Sequence, residues 1–242
     1  TISGLADEAG TLTDTTVTAS DLNILDGNTS GVVNASSVTT LSGSASDLNT
    51  AYSSSGISGL GNESITISDT SIDASALNTL DANTTGIIDA SAVTTLSGSA
   101  SNLNTAYSSQ EISGLGNETV LVNSGTSSVL LANNLSAATS GVVSATLSDG
   151  DMATLANLSE NNNAYTITIS DTSIDASALN TLNGKTTATI NAAAVTTLSG
   201  SASDLNTAYS SSGISGLGNE SITISDTSID ASALNTLNGK TT

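Results

Sequence analysis

Carboxylates four residues apart recur along this chain at Asp69/Asp73, Asp171/Asp175 and Asp226/Asp230. Two chemistries are open to such pairs: glycoside cleavage, which needs two carboxyl groups flanking the bond, and binding of a hard cation such as Ca²⁺, whose ligands are oxygens held in forgiving geometry. Recurrence argues against the first, because a catalytic pair has no reason to be copied into each repeat. For the second, Ser and Thr oxygens stand beside Asp69, Asp73, Asp171, Asp175, Asp226 and Asp230, and these six are the candidate Ca²⁺ ligands. The chain contains neither an EF-hand loop nor a GGxGxD nonapeptide. A solvated acidic face is the plainer reading of the same residues.

Little other reactive chemistry is available. His, Cys and Arg are absent, which removes the imidazole base, the thiolate and the soft-metal ligand. The two cations, Lys185 and Lys240, each sit in an Asn-Gly-Lys-Thr turn, where a lysine is solvated rather than activated. The Gly59-Leu60-Gly61 element, repeated from Gly114 and Gly216, lacks the third glycine of a dinucleotide fingerprint and the lysine of a phosphate loop, and reads as a chain corner. No enzyme and no cofactor other than Ca²⁺ is expected. Eight Asn-x-Ser/Thr sequons occur, and three of them, Asn62, Asn117 and Asn219, fall at the same place in the repeat, where glycans would be regularly spaced.

The composition bounds the rest. With 22 acidic and two basic side chains, the net charge of −20 repels nucleic acid and anionic lipid. Aliphatic and other hydrophobic residues make up 37%, too much for a disordered acidic tail and enough for a thin core, while four tyrosines are the only aromatics. No apolar run is long enough for a membrane span.

Repetition supplies the architecture. Val38–Leu80 recurs unchanged as Val195–Leu237, and the alignment of Ile57 with Ile112 and of Ile167 with Ile222 sets a 55-residue period. The divisions are repeat 1 over 1–55, repeat 2 over 56–110, a shortened degenerate repeat 3 over 111–157, repeat 4 over 158–212 and a partial repeat 5 over 213–242. Within each period an Ala-Ser-x-Leu-Asn box recurs at spacings that alternate between 26 and 29, as at Ala19, Ala45, Ala74 and Ala100. Ser44 is suited to cap a helix carrying Ala45, Leu48, Ala51 and Tyr52 on one face, with Asp47 three residues on. In the companion half, Asp73 takes the cap and Asn183-Gly184 a stop. SITISDTSI and TGIIDAS read as short strands, and VTTLSG is expected in the position that ITISDT holds ahead of each box.

A lone 55-residue unit with so few aromatics would bury too little surface to offset its chain entropy. Stacking solves this: the expected fold is one continuous repeat solenoid of 26/29-residue half-repeats, β-solenoid or α/β-solenoid, with parallel strands and short helices. Thr1–Leu5 matches the later GISGLG segments and the last residues stop inside a repeat, so head-to-tail self-association or continuation of the same long chain is expected, with Leu5 and Leu217 on one axis.

The segments SASDLNTAY, GISGLGNES, ITISDTS and TTGIIDAS resemble repeats of giant acidic surface or secreted proteins of marine cyanobacteria and other aquatic bacteria. That resemblance implies an extracellular or cell-surface fibre, filament or adhesin. Two function classes therefore compete: a structural fibre or rod, and an adhesin or ligand-binding solenoid for carbohydrate, dependent on Ca²⁺, or for ice through rows of Thr.

Overall fold

The computed structural model describes residues 6–159 and 161–241. Leu5, one of the two residues expected on a common axis, lies outside them. The chain divides into two compact units, Thr1–Leu121 with Ala138–Gly141, and Val122–Ala137 with Val142–Thr242.

The first unit runs β1 (Gly10–Thr11), β2 (Thr16–Thr18), α1 (Ala19–Gly27), β3 (Val33–Asn34), β4 (Thr40–Gly43), α2 (Ala45–Ser53), β5 (Ile57–Ser58), β6 (Ser64–Ile67), β7 (Ser71–Asp73), α3 (Ala74–Asn83), β8 (Ile88–Asp89), β9 (Thr95–Ser99), α4 (Ala100–Ser108) and β10 (Ile112–Ser113); β11 (Thr119–Ser124) begins in it. Its strands form parallel sheets, β1-β3-β5 and β10-β8-β6-β4-β2, and β7 pairs with β9. Val17 faces Leu41, Leu41 faces Ile65 and Ile72 faces Leu96, each across a 24-residue step, and Ile65 faces Ile88 across a step one residue shorter. Parallel partners need a crossover between them, and a two-turn helix with its loops supplies it.

The second unit contains α5 (Val129–Ala138), β12 (Val143–Thr146), α6 (Met152–Leu155), β13 (Ala164–Thr168), β14 (Ser173–Asp175), α7 (Ala176–Asn183), β15 (Ile190–Asn191), β16 (Thr197–Gly200), α8 (Ala202–Ser210), β17 (Ile214–Ser215), β18 (Ser221–Ile224) and α9 (Ala231–Asn238). Here β12-β13-β15-β17 and β14-β16-β18 pair in parallel. The α/β alternation with parallel sheets is as the sequence predicts.

The structural step differs from the box spacing. Strands advance in 24-residue steps, and two such steps leave seven residues of each period over. Those seven separate Ile65 from Ile72, because Ser64–Ile67 is a strand of its own ahead of Ser71–Asp73. Strand β6 pairs with β4 through Leu41 and with β8 through Ile88, ending one run of pairings and starting the next. So β7, and not the ITISDT segment, precedes the box; it pairs in register with TLS of β9. The alternation of 26 and 29 follows, since α2 and α4 start four residues after Leu41 and Leu96, whereas α1 and α3 start two after Val17 and Ile72.

The core is aliphatic and thin. The repeat helices bury one short stripe, as with Ala45, Leu48 and Ala51 on α2 and Ala74, Leu77 and Leu80 on α3, and the strands bury Leu41, Ile65, Ile72, Ile88 and Leu96. A fully buried Leu or Ile contributes about 1.5–3 kcal/mol. Caps fall where the sequence puts them: Ser44 Oγ accepts from the Asp47 N–H, and Asp73 accepts from the Ser75 N–H. Gly184 stops α7, but in right-handed conformation (φ −73°), with its N–H bonded back to Asn180 and Thr181. Helices are tied to one another by the Asn of the box: Asn23, Asn78 and Asn180 each donate Nδ2–H to a carbonyl 24 residues on, at Asp47, Asn102 and Asp204. One close approach fixes a glycine: at Gly86 a Cβ would lie 2.2 Å from the Glu63 carbonyl oxygen.

Candidate functional site

Five of the six candidate Ca²⁺ ligands accept a backbone N–H at a helix N-terminus. Asp73 and Asp175 cap their own helices, α3 and α7, while Asp230 precedes α9 without a side-chain cap bond. Asp69, Asp171 and Asp226 reach an earlier helix: their Oδ2 atoms accept the N–H groups of Ala45 at 2.7 Å, Met152 at 2.6 Å and Ala202 at 2.6 Å. Asp149 does the same for Val129 at 2.7 Å, an equivalence that the degenerate stretch hides in the sequence. A helix N-terminus presents unpaired N–H groups and a positive dipole end, so it stabilises a carboxylate without a cation. The Ser177 hydroxyl, ahead of the backbone donors, holds the Asp175 carboxyl below its ordinary range. Among the described residues no three acidic side chains come together to hold a metal ion.

A second arrangement escapes a reading that looks only for exposed carboxylates. Glu63, Glu118 and Glu220 are buried, the first two with 0% exposure. Each sits two residues past a glycine whose N–H it accepts: Gly61 at 2.8 Å, Gly116 at 2.8 Å and Gly218 at 2.9 Å. Each also accepts a tyrosine hydroxyl 11 residues upstream, from Tyr52 at 2.7 Å, Tyr107 at 2.8 Å and Tyr209 at 2.7 Å. The Gly-Leu-Gly corner therefore has a second purpose. Gly59 turns the chain in the left-handed region at φ 86°, and Gly61 aims its N–H at the carboxylate. A threonine completes the cage, Thr84 Oγ1 donating to the Glu63 carbonyl and Thr139 Oγ1 to that of Glu118. Burial first, and then the hydrogen bond and charge of the facing glutamate, push the Tyr52, Tyr107 and Tyr209 hydroxyls well above the ordinary tyrosine range. The signal for this cage was present as a Tyr–Glu spacing of 11 recurring three times.

Chemically, the cage is a lock: both carboxylate oxygens accept hydrogen bonds from the chain itself, and the tyrosine is held neutral. Tyr165, in the degenerate stretch, is a different case, fully buried with its hydroxyl donating to the Ala132 carbonyl. Lys185 Nζ donates to the Ser159 carbonyl at 3.2 Å. The sequon residues Asn62, Asn117 and Asn219 are exposed, each immediately before a caged glutamate.

No known protein family, curated protein or solved structure matches this chain. No helix among the described residues is long and apolar enough to cross a membrane.

Proposed function

We propose that this chain is a structural repeat segment of an extracellular or cell-surface fibre, filament or rod, built as a solenoid in which each 24-residue step stacks on the one before. The observation that carries this reading is the direction in which the polar groups are used. Carboxylates at Asp69, Asp149, Asp171 and Asp226, and amides at Asn23, Asn78 and Asn180, bond from one step to another. Side chains so used hold neighbours together and are withdrawn from ligand or substrate. Repeat arrays with neighbour-only contacts grow in one dimension. Small-angle scattering of the whole chain tests this: an elongated particle is expected, and a compact one with the radius of gyration of a single domain, about 18 Å, would overturn it.

A second reading, an adhesin or ligand-binding solenoid, draws on outward hydroxyls. Thr16 and Thr18, and Ser64 and Thr66, are exposed on either side of an inward-facing residue, and the intervening rung carries Thr40 and Ser42. Retention on insoluble polysaccharide or shaping of ice crystals by the purified chain would support it, and absence of both would remove it.

A further inference from the structure

Helices α3 and α7 begin with the same seven residues, Ala-Ser-Ala-Leu-Asn-Thr-Leu, but the helices that precede them differ. Helix α2, before α3, runs for nine residues, and α6, before α7, for four. Their starts correspond. Ala45 and Met152 each give their N–H to an aspartate, Asp69 and Asp171, and the N–H groups of Asp47 and Thr154 are held by the capping residues Ser44 and Asp151. From there Leu155 matches Leu48, and Ala156 stands in the place of Asn49. The last turn of α2 has no counterpart in α6, and the amide that Asn49 gives to the Ala76 carbonyl is replaced by a methyl group. Ala178 is accordingly exposed where its equivalent, Ala76, is half-buried. Between α6 and α7 lies a cavity of about 180 Å³ walled by Met152, Leu155, Ala156, Ala178 and Leu182. Lys185, one of the chain's two cations, also lines it, with Nζ on the Ser159 carbonyl. Among the described residues no carboxylate lines this cavity, although the chain has 22; Asp151 and Asp171 are turned to the N–H groups that open α6.

We infer that this gap binds a small organic monocarboxylate with an aliphatic chain. Size follows from the volume: an apolar cavity of about 150 Å³ holds a six-carbon ring, so a chain of about six carbons suits this one. Polarity follows from the lining. The aliphatic walls take the chain, and the lysine stem extends them while its ammonium stays polar. That ammonium has three donors, of which one goes to Ser159, so a carboxylate can take another in a charge-assisted hydrogen bond. A cationic ligand would meet the like charge of Lys185, and a neutral one would forgo the charge-assisted bond. The net charge of −20 opposes an anion from a distance, but at an ionic strength of about 0.15 M charges beyond about 8 Å are largely screened, whereas Lys185 acts at contact. The site lies within one unit and arises from the shortening of α6, so it is independent of what the chain builds as a fibre.

The chain carries its own reporter, because Met152 is its only methionine and lines the cavity. With the methionine methyl labelled with ¹³C, the full chain gives one methyl signal, and hexanoate, hexanol and hexylamine can be titrated against it. Hexanoate should shift the signal saturably, hexanol should bind roughly tenfold more weakly for want of a hydrogen bond to charge, and hexylamine should not bind. Lys185→Met keeps an apolar stem without the charge, and should bring hexanoate and hexanol to equal affinity. Ala178→Leu and Ala156→Leu each fill the cavity from an exposed position on one of the two helices, and should abolish the shift with an unchanged circular dichroism spectrum. No saturable shift with hexanoate overturns the site. Hexanol binding as tightly as hexanoate to the wild type, or Lys185→Met keeping the preference for hexanoate, overturns the role of Lys185 and with it the ligand class. Hexanoate binding unchanged in both cavity-filling variants would place it elsewhere and equally overturn the proposal.

Discussion

The Asp69 carboxylate accepts the N–H of Ala45, 24 residues earlier in the chain, at 2.7 Å. That contact joins the first helical amide of one step to a loop of the next, and it recurs from Asp149, Asp171 and Asp226. In a chain with 22 acidic and two basic residues, these four carboxylates are met by the positive ends of the chain's own helices.

Replacing Asp69 by Ala should lower the unfolding free energy by about 1 kcal/mol, the usual cost of losing a helix cap, and Asp69→Asn, which keeps an acceptor oxygen, should cost less. Urea titrations check this. An unchanged midpoint for Asp69→Ala would show that the reach between steps contributes nothing.

Tyr107→Phe removes one donor from the buried Glu118 carboxylate while keeping the ring. The loss should be about 1–3 kcal/mol, the cost of leaving a buried acceptor short of a partner. Tyr52→Phe and Tyr209→Phe should fall in the same range, and a neutral result at all three would mean that water replaces the hydroxyl.

The pH dependence follows from the same tyrosines. Their folded-state pKa values are raised, so their contribution is fully present below the unfolded value of 10.0 and is lost as pH rises through the folded one. On the acid side, the Asp175 pKa is depressed, so its contribution is present above the unfolded carboxylate value and is lost as pH falls through the folded one. With no histidine in the chain, stability should be nearly flat from about pH 6 to 9. Melting temperatures across pH check this, and a midpoint change centred near pH 7 would contradict it.

Salt should raise the melting temperature by screening the like charges, and Ca²⁺ should do no more than NaCl at equal ionic strength, because the candidate ligands are engaged at helix N-termini. A Ca²⁺-specific increase that EDTA reverses would show that these carboxylates gather around the ion.

Much of the secondary structure was legible because local rules decide it. Ser44 and Asp73 cap the helices they precede, and the Ala-Leu spacing picks out the buried stripe. The step length was not legible from the boxes, since helix starts are displaced by two residues relative to their strands, and only the pairing of Leu41 with Ile65 and of Ile72 with Leu96 reveals the shift. The bond from the Ala45 N–H to Asp69 was not legible, because its donor is a backbone group that no side-chain pattern records. Glu63 was overlooked for a related reason: in GLGNES it reads as part of a polar turn, while in the fold it is buried with the Tyr52 hydroxyl bonded to its carboxylate.

The two-edged strand β6 bears on repeat number. Ser64–Ile67 closes one run of pairings and opens another, and the same residues recur 157 positions on at Ser221–Ile224. Removing or duplicating a whole period would rejoin an Ile65-like strand to the neighbours it already fits.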